Sequence, residues 1–203
     1  KKFFDLKSLV TWLVQQPSTA ENVVKRFGNY LIGENIRHEE ILKVAKDFKA
    51  SDLELKILYK SFAKNESYRN CHLLGSRLLD PSSLVSRTIA LIGSRHPNNI
   101  KIGVKILTKM GQKLLEPPNP KGWTFGENWI NSSRIFYRKK GLRMLIADEE
   151  IWDTRNTPEL LTNDLVSFNP LNISLPAKPT RENIFALITD PAWNFSSPID
   201  LIF

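Results

Sequence analysis

The chain has 203 residues, of which 41% are hydrophobic and 25% are charged. This is the composition of an ordinary globular protein, and it excludes collagen-like chains, low-complexity disorder and disulfide-rich miniproteins. The 29 basic and 21 acidic residues give a formal net charge of +8, which permits an anionic partner without indicating a fold. No apolar run approaches the ~18–20 residues that cross a membrane, so no membrane span is predicted.

Apolar residues recur at helical spacing along most of the chain. Four helices are predicted within residues 6–62, and the short turns between them favour antiparallel packing. Ser18 with Glu21, and Ser51 with Glu54, have the spacing of capping boxes and are predicted to open the second and fourth helices.

Further helix starts follow in the second half. Asp80-Pro81 is predicted to begin a helix, because aspartate caps and proline fits the first helical position. The next helix is expected to be capped by Asn98 or Asn99, and later ones to begin near Ser132, at Thr157-Pro158 and after Thr180. Strand signals are scarce. The predicted fold class is therefore all-α, with residues 1–203 forming one globular array of about eight helices and a long loop packed on it.

That loop, residues 116–131, holds three prolines, two glycines and two tryptophans. Loops of about 15 residues are uncommon in compact domains, and they are often functional or held by their own side chains. Two interpretations stay open for Trp123 and Trp129. In the first, which we favour because an indole N–H is costly to leave unpaired, both side chains fill gaps between helices. In the second, an exposed ring stacks on a sugar or a base.

A basic run follows the loop and is predicted to lie on a solvated helix face. Its members are Arg134, Arg138, Lys139, Lys140 and Arg143. The candidate ligand-binding residues of the loop and this helix are Trp123, Trp129, Asn131, Arg134 and Arg138.

The sequence predicts no metal site and no cofactor. The histidines are scattered, at His38, His72 and His96, and the lone Cys71 lies beside His72 in sequence only. An acidic cluster next to Trp152 is predicted to be an exposed helix end, although carboxylates there could serve glycoside hydrolysis or hold a cation. Its members are Asp148, Glu149, Glu150 and Asp153.

The loop carries a family resemblance. From Gly111 to Trp123 the chain reads GQKLLEPPNPKGW, and Gly126 and Trp129 follow. This segment resembles a hallmark of a bacterial family, the domain-of-unknown-function family numbered 1800. Two weaker matches keep the family's order, at Gln16–Ala20 (QPSTA) and at Asp80-Pro81.

The resemblance covers nearly the whole chain, but as the C-terminal portion of a longer protein, and a start at Lys1 without methionine agrees with that expectation. It implies an exported bacterial protein, periplasmic or secreted, and it transfers no catalytic residue. We expect a non-catalytic helical interaction or ligand-binding region. The alternative is part of a hydrolase acting on an envelope or extracellular polymer, with catalytic groups shared with the missing N-terminal half.

The partners that these observations imply are that missing half of the chain, and another exported protein or a polysaccharide. Nucleic acid is disfavoured, because the charge is modest and no binding motif accompanies it.

Overall fold

A computed structural model describes residues 5–32, 36–69, 77–93, 97–147 and 158–196. The chain divides into two compact units, one formed by residues 1–76 with 197–203 and the other by residues 77–196. Each unit has a hydrophobic core of its own.

Helices are the only regular secondary structure among the described residues of the first unit. Its helices are α1 (Leu6–Gln15), α2 (Pro17–Leu31), α3 (His38–Ala50), α4 (Leu55–Lys64) and the single turn α5 (Glu66–Arg69). The apolar faces of α2, α3 and α4 form the core, and at its edge Phe27 packs edge-on against the exposed Tyr59 with ring centres 4.7 Å apart. In contrast, α1 buries none of its residues.

Two predicted capping boxes of this unit are wrong. Proline takes the first position of α2, so Ser18 lies inside the helix and cannot cap it. The Ser51 hydroxyl accepts the Glu54 N–H at 3.2 Å, as in a capping box, but it also donates to the Phe48 carbonyl at 2.7 Å at the end of α3, and α4 begins only at Leu55.

The second unit packs four helices around a larger core. They are α6 (Pro81–Leu91), α7 (Pro97–Lys109), α8 (Ser132–Ala147) and α9 (Arg181–Ile188). Two short antiparallel strands, β1 (Arg77–Leu78) and β2 (Phe195–Ser196), close the unit. Gly141 lets α8 approach α7 closely, because a Cβ there would lie 2.4 Å from Ile106 Cγ2.

The all-α prediction is confirmed: the described residues contain eight helices of eight residues or more and only two-residue strands. Asp80 and Thr180 cap α6 and α9 as predicted, each accepting a backbone N–H three residues on. Two predicted starts are wrong. α7 begins at Pro97, so Asn98 and Asn99 lie within its first turn, and residues 158–162 are not helical. A single domain over residues 1–203 stays a prediction.

Candidate functional site

The loop between α7 and α8 is tied down where it begins. Gln112 is buried, and its Oε1 accepts the backbone N–H of Ser82 at 2.7 Å in the first turn of α6. Gly111 turns the chain with φ +90°, and a Cβ at that position would lie 3.2 Å from Arg134 Nε. The start of the loop therefore depends on both a glycine and a buried amide.

The end of the loop is held as firmly. Trp129 closes a short 3-10 helix, Gly126–Trp129, and its side chain is only 2% exposed. The Arg134 guanidinium lies 5.2 Å from the centre of the Trp129 ring and donates to the Asn128 carbonyl. Asn131 Oδ1 accepts the Arg134 backbone N–H at 2.8 Å, which caps α8. For Trp129, the structure agrees with the gap-filling interpretation.

Arg138 lies one turn further along α8 and is 5% exposed, so the predicted solvated face does not include it. Its Nη2 donates to the Leu79 carbonyl at 2.7 Å and its Nη1 to Asn194 Oδ1 at 3.1 Å. Leu79 and Asn194 flank the two short strands, and the Leu79 N–H donates to the Asn194 carbonyl. Arg138 thus connects α8 to the residues that adjoin β1 and β2.

The charges at this position influence one another. Burial lowers the pKa of Arg138 to about 10, and Arg134 lowers it too, while the Asp80 carboxylate acts in the opposite direction. Burial would raise the pKa of Asp80. Hydrogen bonds from the hydroxyl groups of Ser82 and Ser83, the Ser83 N–H and Gln112 outweigh it, and the net pKa is lowered.

This lowered pKa predicts an acid-sensitive second unit. A carboxyl whose folded pKa lies below its unfolded value of 3.8 stabilises the fold above that value, and the contribution is lost as the pH falls through the folded pKa. The free energy of unfolding is measured in urea from about pH 6 to about pH 2, the range in which carboxylates titrate. It should fall less steeply with decreasing pH in Asp80→Asn than in the wild type. The matched variant Asp164→Asn, an exposed carboxylate of the same unit, should leave the profile as in the wild type. Equal profiles for all three proteins would contradict the assignment.

Between its two anchors the loop projects a segment that we call the loop tip, residues 113–125. Leu115 has φ +65°, a left-handed conformation that leucine rarely adopts, and its side chain is 93% exposed. The turn around it is closed by the Glu116 N–H, which donates to the Lys113 carbonyl at 3.1 Å, and by the Lys113–Glu116 ion pair at 2.6 Å. The tip therefore holds an apolar side chain in solvent on a strained backbone.

A second turn follows at the prolines. Asn119 accepts two backbone N–H groups, that of Lys121 on its side chain at 2.9 Å and that of Gly122 on its carbonyl at 3.0 Å. Gly122 has φ +91°, with open space where a Cβ would stand. Here glycine serves the turn itself, and no neighbour crowds it.

Trp123 differs from Trp129. Its side chain is half-buried, and its indole N–H is shielded from solvent and has no acceptor among the described residues. Two residues on, Phe125 is 72% exposed. Unpaired buried donors and exposed aromatic rings are both common on surfaces that a partner covers.

Sequence reasoning found the loop but missed Leu115 and Phe125. The structure brings Trp129, Asn131 and Arg134 together at the loop's end, with Arg138 buried one turn away and Trp123 in the tip. A binding role for these five residues stays a prediction. The signal that could have found Leu115 is an apolar residue next to a Glu-Pro-Pro run, where no helix can bury it.

Several candidates lie outside the described residues: Cys71, His72, His96, Asp148, Glu149, Glu150 and Asp153. His38 opens α3 and is exposed. In the part of the chain that the structure describes, no three potential metal-binding side chains come together. Over the same residues, none of the helices has the length and apolar character needed to traverse a bilayer.

Comparison with known proteins agrees with the resemblance carried by the loop. Searches among curated proteins and among solved structures found no match. A family model described as "Protein of unknown function (DUF1800)" matches residues 1–190, which include helices α1 to α9 and the complete loop. The chain belongs to the DUF1800 family.

Proposed function

We propose that this chain is a non-catalytic helical interaction or ligand-binding region of a larger exported protein, and that the loop tip is its binding surface. The base of the loop is fixed by Gln112 and Trp129, while the tip extends into solvent. A surface that is rigid before binding loses little conformational entropy when a partner arrives.

The observation that carries this proposal is Leu115. A left-handed conformation costs a non-glycine residue roughly 1–2 kcal/mol, and here it leaves an apolar side chain almost fully in water. The unpaired indole N–H of Trp123 adds a further cost of about 1–3 kcal/mol. A partner that covers Leu115, and whose binding turns the Trp123 ring so that its shielded N–H donates to an acceptor, would offset both costs.

The chemistry of the tip supports binding over catalysis. Its ionisable side chains are Lys113, Glu116 and Lys121, and the first two form an ion pair with each other. The hydrolase alternative depends on His96, Asp148 and Glu149, which lie outside the described residues. That alternative would be favoured if the protein turns over an envelope polymer and replacement of these three side chains abolishes the turnover.

The test is a thermal-shift screen of the wild-type chain against neutral oligosaccharides and proline-rich or apolar peptides. A ligand that binds only the native state raises its stability by about 2.7 kcal/mol at a hundredfold excess over Kd. We expect one of these probe classes to raise the melting temperature. Leu115→Gly should abolish that shift, and on its own it should raise the stability by about 1 kcal/mol by removing the strain.

A matched control comes from Leu171, an exposed leucine in the connector before α9. Leu171→Ala should retain the full ligand-induced shift, whereas Trp123→Phe, which keeps a ring and removes the N–H, should weaken it. Loss of the shift in the Leu171 variant, or its persistence in Leu115→Gly, would refute the role of the tip.

A further inference from the structure

One side of the second unit carries exposed lysines on two helices that contain no acidic residue. Neither α7 nor α8 contains an aspartate or a glutamate. On α7, Lys101, Lys105 and Lys109 follow one another at four-residue intervals, and all three are exposed. Because a helix rises ~1.5 Å per residue, this stripe places a positive charge about every 6 Å.

A second stripe runs along α8 with the same spacing. Phe136, Lys140 and Met144 succeed one another on one side of the helix. Phe136 is 57% exposed and Met144 is 43% exposed, so two large apolar side chains flank the lysine in solvent. The Lys140 ammonium lies 5.6 Å from the centre of the Phe136 ring.

Ring contacts join the two stripes. The Lys109 ammonium lies 5.4 Å from the centre of the Tyr137 ring, which is 5.4 Å from the Phe136 ring. Because Gly141 brings α8 close to α7, the stripes form one surface, which we call the α7–α8 face. Its residues are Lys101, Lys105, Lys109, Phe136, Lys140 and Met144. Within the described residues, no carboxylate pairs with any of its four lysines.

We propose that the α7–α8 face binds the surface of an anionic lipid bilayer. Lysines near a bilayer are attracted to anionic headgroups, and apolar side chains between them insert at the boundary of headgroups and acyl chains. Phe136 and Met144 favour lipid over nucleic acid or an acidic polysaccharide, because either polyanion would engage the lysines and leave Met144 in water. This inference does not depend on the role of the loop tip.

The experiment is co-sedimentation of the 203-residue chain with phosphatidylcholine vesicles that contain or lack phosphatidylglycerol. We expect binding only when phosphatidylglycerol is present, and weaker binding as salt increases. Each lysine near the membrane surface contributes about a fivefold change in affinity. The double variant Lys105→Gln with Lys109→Gln should therefore bind roughly 25-fold more weakly.

The control variant has the same net charge as that double variant but loses its two lysines from the first unit. Lys43 and Lys46 are exposed on α3 of the first unit, and their double replacement by glutamine should leave vesicle binding unchanged. Phe136→Ser should weaken binding about tenfold while preserving its salt dependence, since it removes inserted apolar area and no charge. Circular dichroism melts verify that each variant is folded.

Three results would overturn the proposal: no binding to phosphatidylglycerol vesicles, equal binding to neutral vesicles, or an equal loss in the α3 control. Binding to duplex or single-stranded DNA without binding to vesicles would also overturn it and assign the face to another polyanion.

Discussion

Replacing Trp129 with alanine is expected to destabilise the protein by about 3–5 kcal/mol, the usual cost of truncating a buried tryptophan. The side chain is 2% exposed, and Arg134 stacks on it while donating to the carbonyl of Asn128. Truncation leaves a cavity under the loop and removes the ring on which Arg134 lies. Urea unfolding monitored by circular dichroism gives the change in free energy.

The matched control is Phe125→Ala, an aromatic truncation in the same loop. Phe125 is 72% exposed, so its removal should change the free energy of unfolding by no more than about 0.5 kcal/mol. Equal destabilisation by the two variants would mean that the whole loop is packed like a core segment. That result would contradict the division into a fixed base and an exposed tip.

Arg138→Met is the second change with a large expected effect, a loss of about 3 kcal/mol. The variant keeps most of the side-chain volume but leaves the Leu79 carbonyl and Asn194 Oδ1 without their charged donor. Hydrogen bonds to charged groups contribute about 1.5–3 kcal/mol each, and buried acceptors without partners cost more than exposed ones. The half-buried Asp80 carboxylate also loses its neighbouring positive charge.

Lys139→Met is the control, because Lys139 is the next residue on α8 and is exposed. It should change the stability by no more than about 0.5 kcal/mol. A similarly small effect of Arg138→Met would show that the ends of the strands are held by other contacts.

The sequence predicted the helices well because their signals are local. Apolar spacing, the cap at Asp80 and the cap at Thr180 all act within one turn of the chain, and the structure confirms them. The capping boxes failed where two local signals competed. Proline takes the first helical position ahead of Ser18, and Ser51 serves the end of one helix instead of the start of the next.

The site was less accessible to sequence reasoning because its decisive contacts are distant. Arg138 reaches Leu79 and Asn194 across more than fifty residues of chain, so a run of basic residues could not reveal that one member is buried. Leu115 was missed for another reason. Leucine disfavours a positive φ, and no propensity predicts a conformation that the surrounding turn imposes.

The most direct test of the loop as a binding surface is the indole N–H resonance of Trp123, measured by nitrogen–proton NMR and assigned with Trp123→Phe. The chain is titrated with each oligosaccharide and peptide of the screen. We predict that one probe class moves the Trp123 signal and spares that of Trp193, whose N–H donates to the Thr88 hydroxyl within the core at 3.0 Å. A Trp123 signal that no probe moves would contradict the proposal that the loop tip binds a partner.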